Sequence, residues 1–342
     1  MSYLPLNHPS TLRITSLLIP WISALLLWGC AQAGAGTPGS SRSDSPSGTQ
    51  AEIAATRFVT SGDVRYAYRR IGRPDGVPLL MMTRFRANMD DWDPLFLNEL
   101  GRTRPVIIFN NAGVATSSGE VPRTIKGAAD HAATLCKALG IETVDILGWS
   151  MAGFTAQVMA IEYPQLVRQV VLIGTGPGAS PETPPPNRPE VFEVATRPTV
   201  TDTIWQEEDH EYLFFAPGSR VSAAAVRASL GRIREREAKG LESPTTQRVM
   251  ERQSEAIQGF WFKGEGNYFA RLKDLRQPTM ILNGDRDAFF NVMAQALLYR
   301  EIPNARLGIY PMAGHGPHHQ YPRQVAAVVS DFLNEKPILA RR

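Results

Sequence analysis

Cysteine is almost absent. Only Cys30 and Cys136 occur in 342 residues, so no disulfide framework can be argued. Cys136, within DHAATLCKALG, reads instead as a small buried helix residue. Histidine is scarce as well, with six in the chain. Runs of one charge are missing: 36 Lys and Arg stand against 33 Asp and Glu for a net charge of +3, and the densest charged run, RIREREAKG (residues 232–240), alternates in sign. Such a run is a solvated helix face, so nothing points to a nucleic-acid partner. A membrane-spanning run is also lacking, because ITSLLIPWISALLLW (residues 14–28) is interrupted by Pro20 and falls short of the roughly 20 apolar residues a spanning helix needs. No Walker loop, dinucleotide-binding glycine pattern or metal-ligand cluster is found, so no cofactor and no metal are expected.

What the chain does have begins with that short apolar run. Arg13 is the only charged residue before Cys30, which makes residues 1–30 an export signal. LWGC (residues 27–30) resembles a bacterial lipobox, making Cys30 a candidate for lipidation and membrane attachment; AQA (residues 31–33) fits an ordinary cleavage site before Gly34 equally well. The expected location is the cell envelope or the exterior. Residues 31–52, rich in Gly, Ser, Pro and Thr, are expected to be a disordered tether.

Beyond residue 53, short β-like runs alternate with helical stretches. TRFVTSGDVRYAYRR predicts a hairpin turning at residues 61–63, with Val64, Tyr66 and Tyr68 on one face. PLLMMT, PVIIFN, VDILGW and VVLIG read as strands buried on both faces, as in a parallel sheet, and the alternation resumes later with PTMILNG and ARLGIY. Helical spacing lies between them, ending at Gly140 and Pro164, and a closing helix is expected over residues 320–333. This is an α/β architecture, with a core over residues 53–180 and 270–338. The rhythm breaks at residue 181, and residues 181–269 read as a helical cap rich in aromatics, among them Trp205, Phe214, Phe215 and Trp261.

In DILGWSMAGF (residues 145–154), an apolar strand runs into a serine fenced by small residues, and a helix follows. A sharp strand-to-helix turn exposes a hydroxyl for nucleophilic attack, provided that residues two positions either side are small; Gly148 and Ala152 are, although alanine stands where glycine is usual. Ser150 is therefore the candidate nucleophile, and it needs a base. His8 lies in the export segment, His131 precedes the serine and His210 falls in the cap, which leaves His315, His318 and His319 after the last strand. His315, between Gly314 and Gly316 on what reads as a flexible turn, is the preferred base, with His318 and His319 as loop residues. Asp285 and Asp287 follow the strand ending near Asn283 and supply carboxylates.

GWSMAG, NGDRD and AGHG together resemble the serine branch of the α/β-hydrolase superfamily, which holds esterases, haloperoxidase-like enzymes and carbon–carbon bond hydrolases, over about residues 55–332. The resemblance implies a mostly parallel sheet flanked by helices and an acid at the end of a G-x-x-D turn. That selects Asp287 and leaves Asp285 to stabilise the turn. It implies backbone oxyanion donors at Phe85 and Met151, although Thr83-Arg84 replaces the family's His-Gly. Asn111 and Ala112 stand where an acid or amide and an arginine are common, so a supporting ion pair would be missing. Arg84 and Arg86 either face the pocket and bind an anionic group or lie in solvent; Trp149 and Trp261 are further candidates to contact substrate. The implied function is hydrolysis of a small ester or related acyl substrate through Ser150, His315 and Asp287. The alternatives are perhydrolase-like or carbon–carbon hydrolase chemistry, or a non-catalytic scaffold binding a small molecule.

Overall fold

The structure is a computed structural model that describes residues 48–197, 207–216, 218, 220–237, 240, 242 and 245–335. The export segment with Cys30, most of the proposed tether, and Trp205 lie outside these residues. The end of the tether expectation is corrected: Thr49 pairs with Gly72 through two backbone hydrogen bonds, Ala51–Ile53 form a 3-10 turn, and the Ala51 N–H donates to Asn98 Oδ1 at 2.8 Å.

Eight strands form one sheet: β1 (Arg57–Ser61), β2 (Val64–Gly72), β3 (Leu79–Met82), β4 (Pro105–Phe109), β5 (Val144–Trp149), β6 (Val167–Ile173), β7 (Thr279–Gly284) and β8 (Ala305–Tyr310). Their order is β1-β2-β4-β3-β5-β6-β7-β8, antiparallel at β1-β2-β4 and parallel from β4 onward. The hairpin turns where expected, Ser61 opposite Val64.

The helices are α1 (Pro94–Gly101), α2 (Ile125–Ala138), α3 (Met151–Glu162), α4 (Val191–Ala195), α5 (Glu207–Phe214), α6 (Arg220–Glu237), α7 (Gln247–Ile257), α8 (Val292–Glu301), α9 (Pro317–Gln320) and α10 (Pro322–Asn334). Local signals start several of them. Asp93 accepts from the Leu95 N–H ahead of Pro94 at the first turn of α1, Thr124 accepts from the Gly127 N–H at α2, and Asn291 accepts from the Ala294 N–H at α8.

Alternation along the strands explains the layers. Leu80, Met82, Ile107, Ile146 and Leu172 pack on the side of α2 and α3, whereas Leu79, Met81, Val106, Leu147 and Val171 pack on the side of α1 and α10. Both faces are covered, so the strands read as continuous apolar runs. Asp145 in β5 is a charged exception among the parallel strands. It is fully buried between Arg104 Nη1 at 3.0 Å and the guanidinium of Arg168, while burial pushes its carboxyl above the usual range against the pull of both arginines. Asp145→Ala leaves two arginines facing a buried gap, and a loss of about 3–5 kcal/mol is expected in urea unfolding.

Helices α4 to α7 lie in the chain between β6 and β7, which pair with each other in the sheet. They do not stand apart from the core, however. Phe214, Phe215, Val226 and Leu230 join the same buried cluster as Trp149, Trp92 and α10.

Candidate active site

The site grows from the carboxyl ends of β5, β6 and β7. Ser150 follows β5 at φ 59° and ψ −124°, a strained turn for a residue with a Cβ. Its N–H donates to Ile173 C=O at 2.9 Å and its C=O accepts from the Gly153 N–H at 2.8 Å. A Cβ on Gly148 would sit 2.2 Å from Ala152 C=O, and one on Gly153 would sit 2.4 Å from the Thr175 side chain. The methyl of Ala152 is accommodated in the core, so the turn is kept tight by glycine at 148 and 153.

Asp287 and His315 are brought together, both fully buried. His315 Nδ1 lies 2.9 Å from Asp287 Oδ2, and Asp287 Oδ1 accepts from the N–H groups of Phe289 (2.7 Å) and Phe290 (3.1 Å). The turn is thus stabilised by Asp287 itself. Asp285 makes no such bond: its Oδ1 has no partner among the described residues and lies 3.9 Å from Arg286 Nε. His315 backs onto Gly174, where an added Cβ would lie 3.1 Å from Nδ1, so serine and histidine both meet the Ile173–Gly174 end of β6. His315 Nε2 has no hydrogen-bond partner among the described residues, Ser150 Oγ included.

The turn holding His315 is not flexible, contrary to the expectation from its glycines. Trp149 Nε1 donates to His315 C=O at 3.0 Å, and the Gly316 N–H donates to Phe214 C=O at 2.8 Å. A Cβ on Gly314 would lie 2.2 Å from Phe215 C=O, so glycine there permits close approach of the inserted segment. Trp149, read as a substrate contact, is buried in the core and holds the histidine loop instead.

Phe85 and Met151 line a cavity of about 220 Å³ beside Ser150, with Phe154, Phe192, Trp261 and Phe290 among its walls and no charged side chain in its lining. Trp261 therefore does line the pocket. The N–H groups of Phe85 and Met151 donate to no protein acceptor among the described residues.

Both sequence readings of the arginines fail. Arg84 is buried, pairs with Asp91, donates to Phe85 C=O at 2.8 Å and lies over the Phe214 ring. Burial pushes the Arg84 guanidinium below its ordinary value, against the Asp91 charge. Arg86 is buried too, bonded to the carbonyls of Ala195 and Arg197. Neither lines the cavity. Positions 111 and 112 carry no charge, and beside them Arg69 of β2 pairs with Asp90 and Glu242, while Asn110 Nδ2 donates to Glu242 Oε2 at 3.1 Å.

His318 and His319 are likewise not loop residues. They lie in α9, fully buried against Trp149 together with His210 of α5. His319 Nδ1 meets Ser229 Oγ at 2.9 Å, and Ser229 donates to Asp93, which Arg232 grips with two bonds. Burial drives His318 and His319 well below the ordinary histidine value, and His210 to about 3, with neighbouring histidines and Arg84 adding to the effect. A pattern of two histidines after G-P carries no sign of this, because the burial comes from α5 and α6, far off in sequence.

Comparison with known proteins agrees with this fold. The poly(3-hydroxyalkanoate) depolymerase of Ectopseudomonas oleovorans is 27% identical over 292 residues, covering 84% of this chain and 94% of the relative. The pimeloyl-(acyl-carrier protein) methyl ester esterase of Aromatoleum aromaticum is 26% identical over 189 residues, 55% of this chain and 73% of the relative. Among solved structures, an alpha/beta hydrolase fold protein from Chitinophaga pinensis superposes with a TM-score of 0.72 at 28% identity, covering 83% of this chain and 99% of its own. The alpha/beta hydrolase fold is also the family that matches residues 77–322, and on that span the chain belongs to the alpha/beta hydrolase fold family.

Proposed function

We propose that the chain is a serine hydrolase that cleaves esters of neutral, apolar acyl groups through an acyl-enzyme. The observation that carries this reading is the buried Asp287–His315 hydrogen bond at 2.9 Å beside a serine held at φ 59° on the wall of an uncharged cavity. His315 Nε2 takes the Ser150 proton as Oγ attacks the carbonyl carbon. The N–H groups of Phe85 and Met151 hold the oxyanion, and the imidazolium returns its proton to the departing alcohol. Water then repeats the sequence on the acyl-enzyme. Asp287 keeps the imidazole proton on Nδ1 throughout. In support, the Aromatoleum relative is named as a methyl ester esterase.

Substrate class follows from the walls. A cavity of about 150 Å³ holds benzene, so the 220 Å³ here suits an acyl group of about phenylacetyl or hexanoyl bulk. With both nearby arginines engaged by protein partners, a carboxylate on that group would be buried unpaired. Across p-nitrophenyl esters, the neutral hexanoyl ester is expected to exceed a chain-matched acid-bearing ester by at least about 10²-fold in kcat/KM. Preference for the anionic ester would contradict the reading. Asp287→Asn is expected to lower kcat by about 10⁴-fold through loss of the correct tautomer, and Asp285→Asn by less than about threefold. A reversed ranking would move the acid to Asp285.

Export is a proposal from sequence alone, with Cys30 and Gly34 as the competing mature N-termini. The intact mass of protein recovered from the envelope distinguishes a diacylated cysteine from an unmodified glycine.

A further inference from the structure

Arg86 lies at φ 58°, in the left-handed region where a long side chain is rare. It is the third residue of a turn closed by the Ala87 N–H donating to Arg84 C=O at 3.3 Å, a position that normally selects glycine when φ is positive. Such a conformation persists only where its surroundings over-determine it. Among the described residues, the hydrogen bonds of Arg86 all come from the inserted segment. The Arg86 N–H donates to Gln253 Oε1 at 2.8 Å, the Arg86 C=O accepts from Thr245 Oγ1 at 2.9 Å, and Nη1 donates to the carbonyls of Ala195 and Arg197, each at 3.1 Å.

The same turn carries Phe85. The peptide before Phe85 is held at its carbonyl by the Ala87 N–H. The peptide after it is held at both ends, its carbonyl by Arg84 Nη1 and its N–H by Gln253. With both planes fixed, the Phe85 N–H has one direction to point. We propose that Gln253 of α7 is a positioning residue that aims the Phe85 amide at the oxyanion, so that the inserted segment completes the site rather than merely covering it. This rests on the hydrolase reading above. Ser254 and Ile257 of the same helix line the cavity, so an acyl group seated there bears on the helix that sets the donor.

The test compares Gln253→Met, which keeps shape without an acceptor, with Gln253→Glu, which keeps an acceptor oxygen. Each is assayed on p-nitrophenyl hexanoate and on its thionoester, whose sulfur accepts hydrogen bonds poorly. Gln253→Met is expected to lower kcat by about 10²-fold with KM within about threefold, and to shrink the ester-over-thionoester preference about tenfold. Gln253→Glu is expected to stay within about threefold of wild type. If the methionine variant does not fold, Thr245→Val removes the other bond to the Arg86 backbone and is read the same way. A folded acceptor-free variant with wild-type kcat, or with an unchanged ester-over-thionoester ratio, overturns the proposal. Wild type that neither turns over nor reacts with a fluorophosphonate overturns the hydrolase reading beneath it.

Discussion

Replacing Ser150 with alanine is expected to reduce kcat by about 10⁵- to 10⁶-fold on the best p-nitrophenyl ester, with KM little changed and the fold intact. The size follows from the role. Removing the nucleophile leaves only binding and the oxyanion donors to act on water, and those give a small residual rate. Stability should not fall, since the hydroxyl makes no hydrogen bond among the described residues and alanine keeps the Cβ at φ 59°. Glycine at 150 is expected to be more stable than the native serine by about 1 kcal/mol, because it removes the cost of positive φ. An alanine variant that retained more than a hundredth of the activity would show that the chemistry lies elsewhere.

Acidification from pH 8 to pH 5 should destabilise the fold, with about 2 kcal/mol lost through His210 and further losses of the same sign through His318 and His319. His210, His318 and His319 are buried neutral, with native pKa values depressed chiefly by desolvation. As pH falls below about 6.5, the unfolded chain takes up protons that the native state refuses, so stability present above that value is lost on the way down. The loss levels only where the native histidines protonate, at about 3 for His210. At pH 5 the His210 contribution is about 2 kcal/mol, and the slope steepens by about 1.4 kcal/mol per pH unit for each ring that stays neutral in the native state. Urea unfolding should therefore report a proton uptake on unfolding that grows from pH 8 to pH 5. His318→Leu should flatten the slope. A slope near zero would mean that these rings reach solvent.

The strands were legible because burial on both faces of a parallel sheet leaves a run that no loop resembles; LLMM and VDILGW read directly as β3 and β5. Ser150 was singled out by the turn that follows its own strand, whereas the choice of Asp287 over Asp285 came from the family resemblance. His315 was reached by elimination among six histidines, and the structure places it against Asp287. What sequence could not give was the environment supplied by distant segments. Gly314 and Gly316 suggested freedom, yet they let Phe214 and Phe215 close onto the histidine loop. Arg84 and Arg86 looked like surface cations or anion binders, and only the packing of Asp91, Gln253 and Ala195 against them makes them framework. Gln253 itself carries no signal in sequence, since a glutamine on an amphipathic helix has no partner until the fold provides one.

The most direct measurement is the site and rate of fluorophosphonate labelling, followed by peptide mass spectrometry. A single adduct on the peptide containing Ser150 is expected, forming rapidly in wild type, slowed by about 10³-fold or more in His315→Ala and absent in Ser150→Ala. An adduct on another residue, or labelling of Ser150 that proceeds at the same rate without His315, would contradict the account.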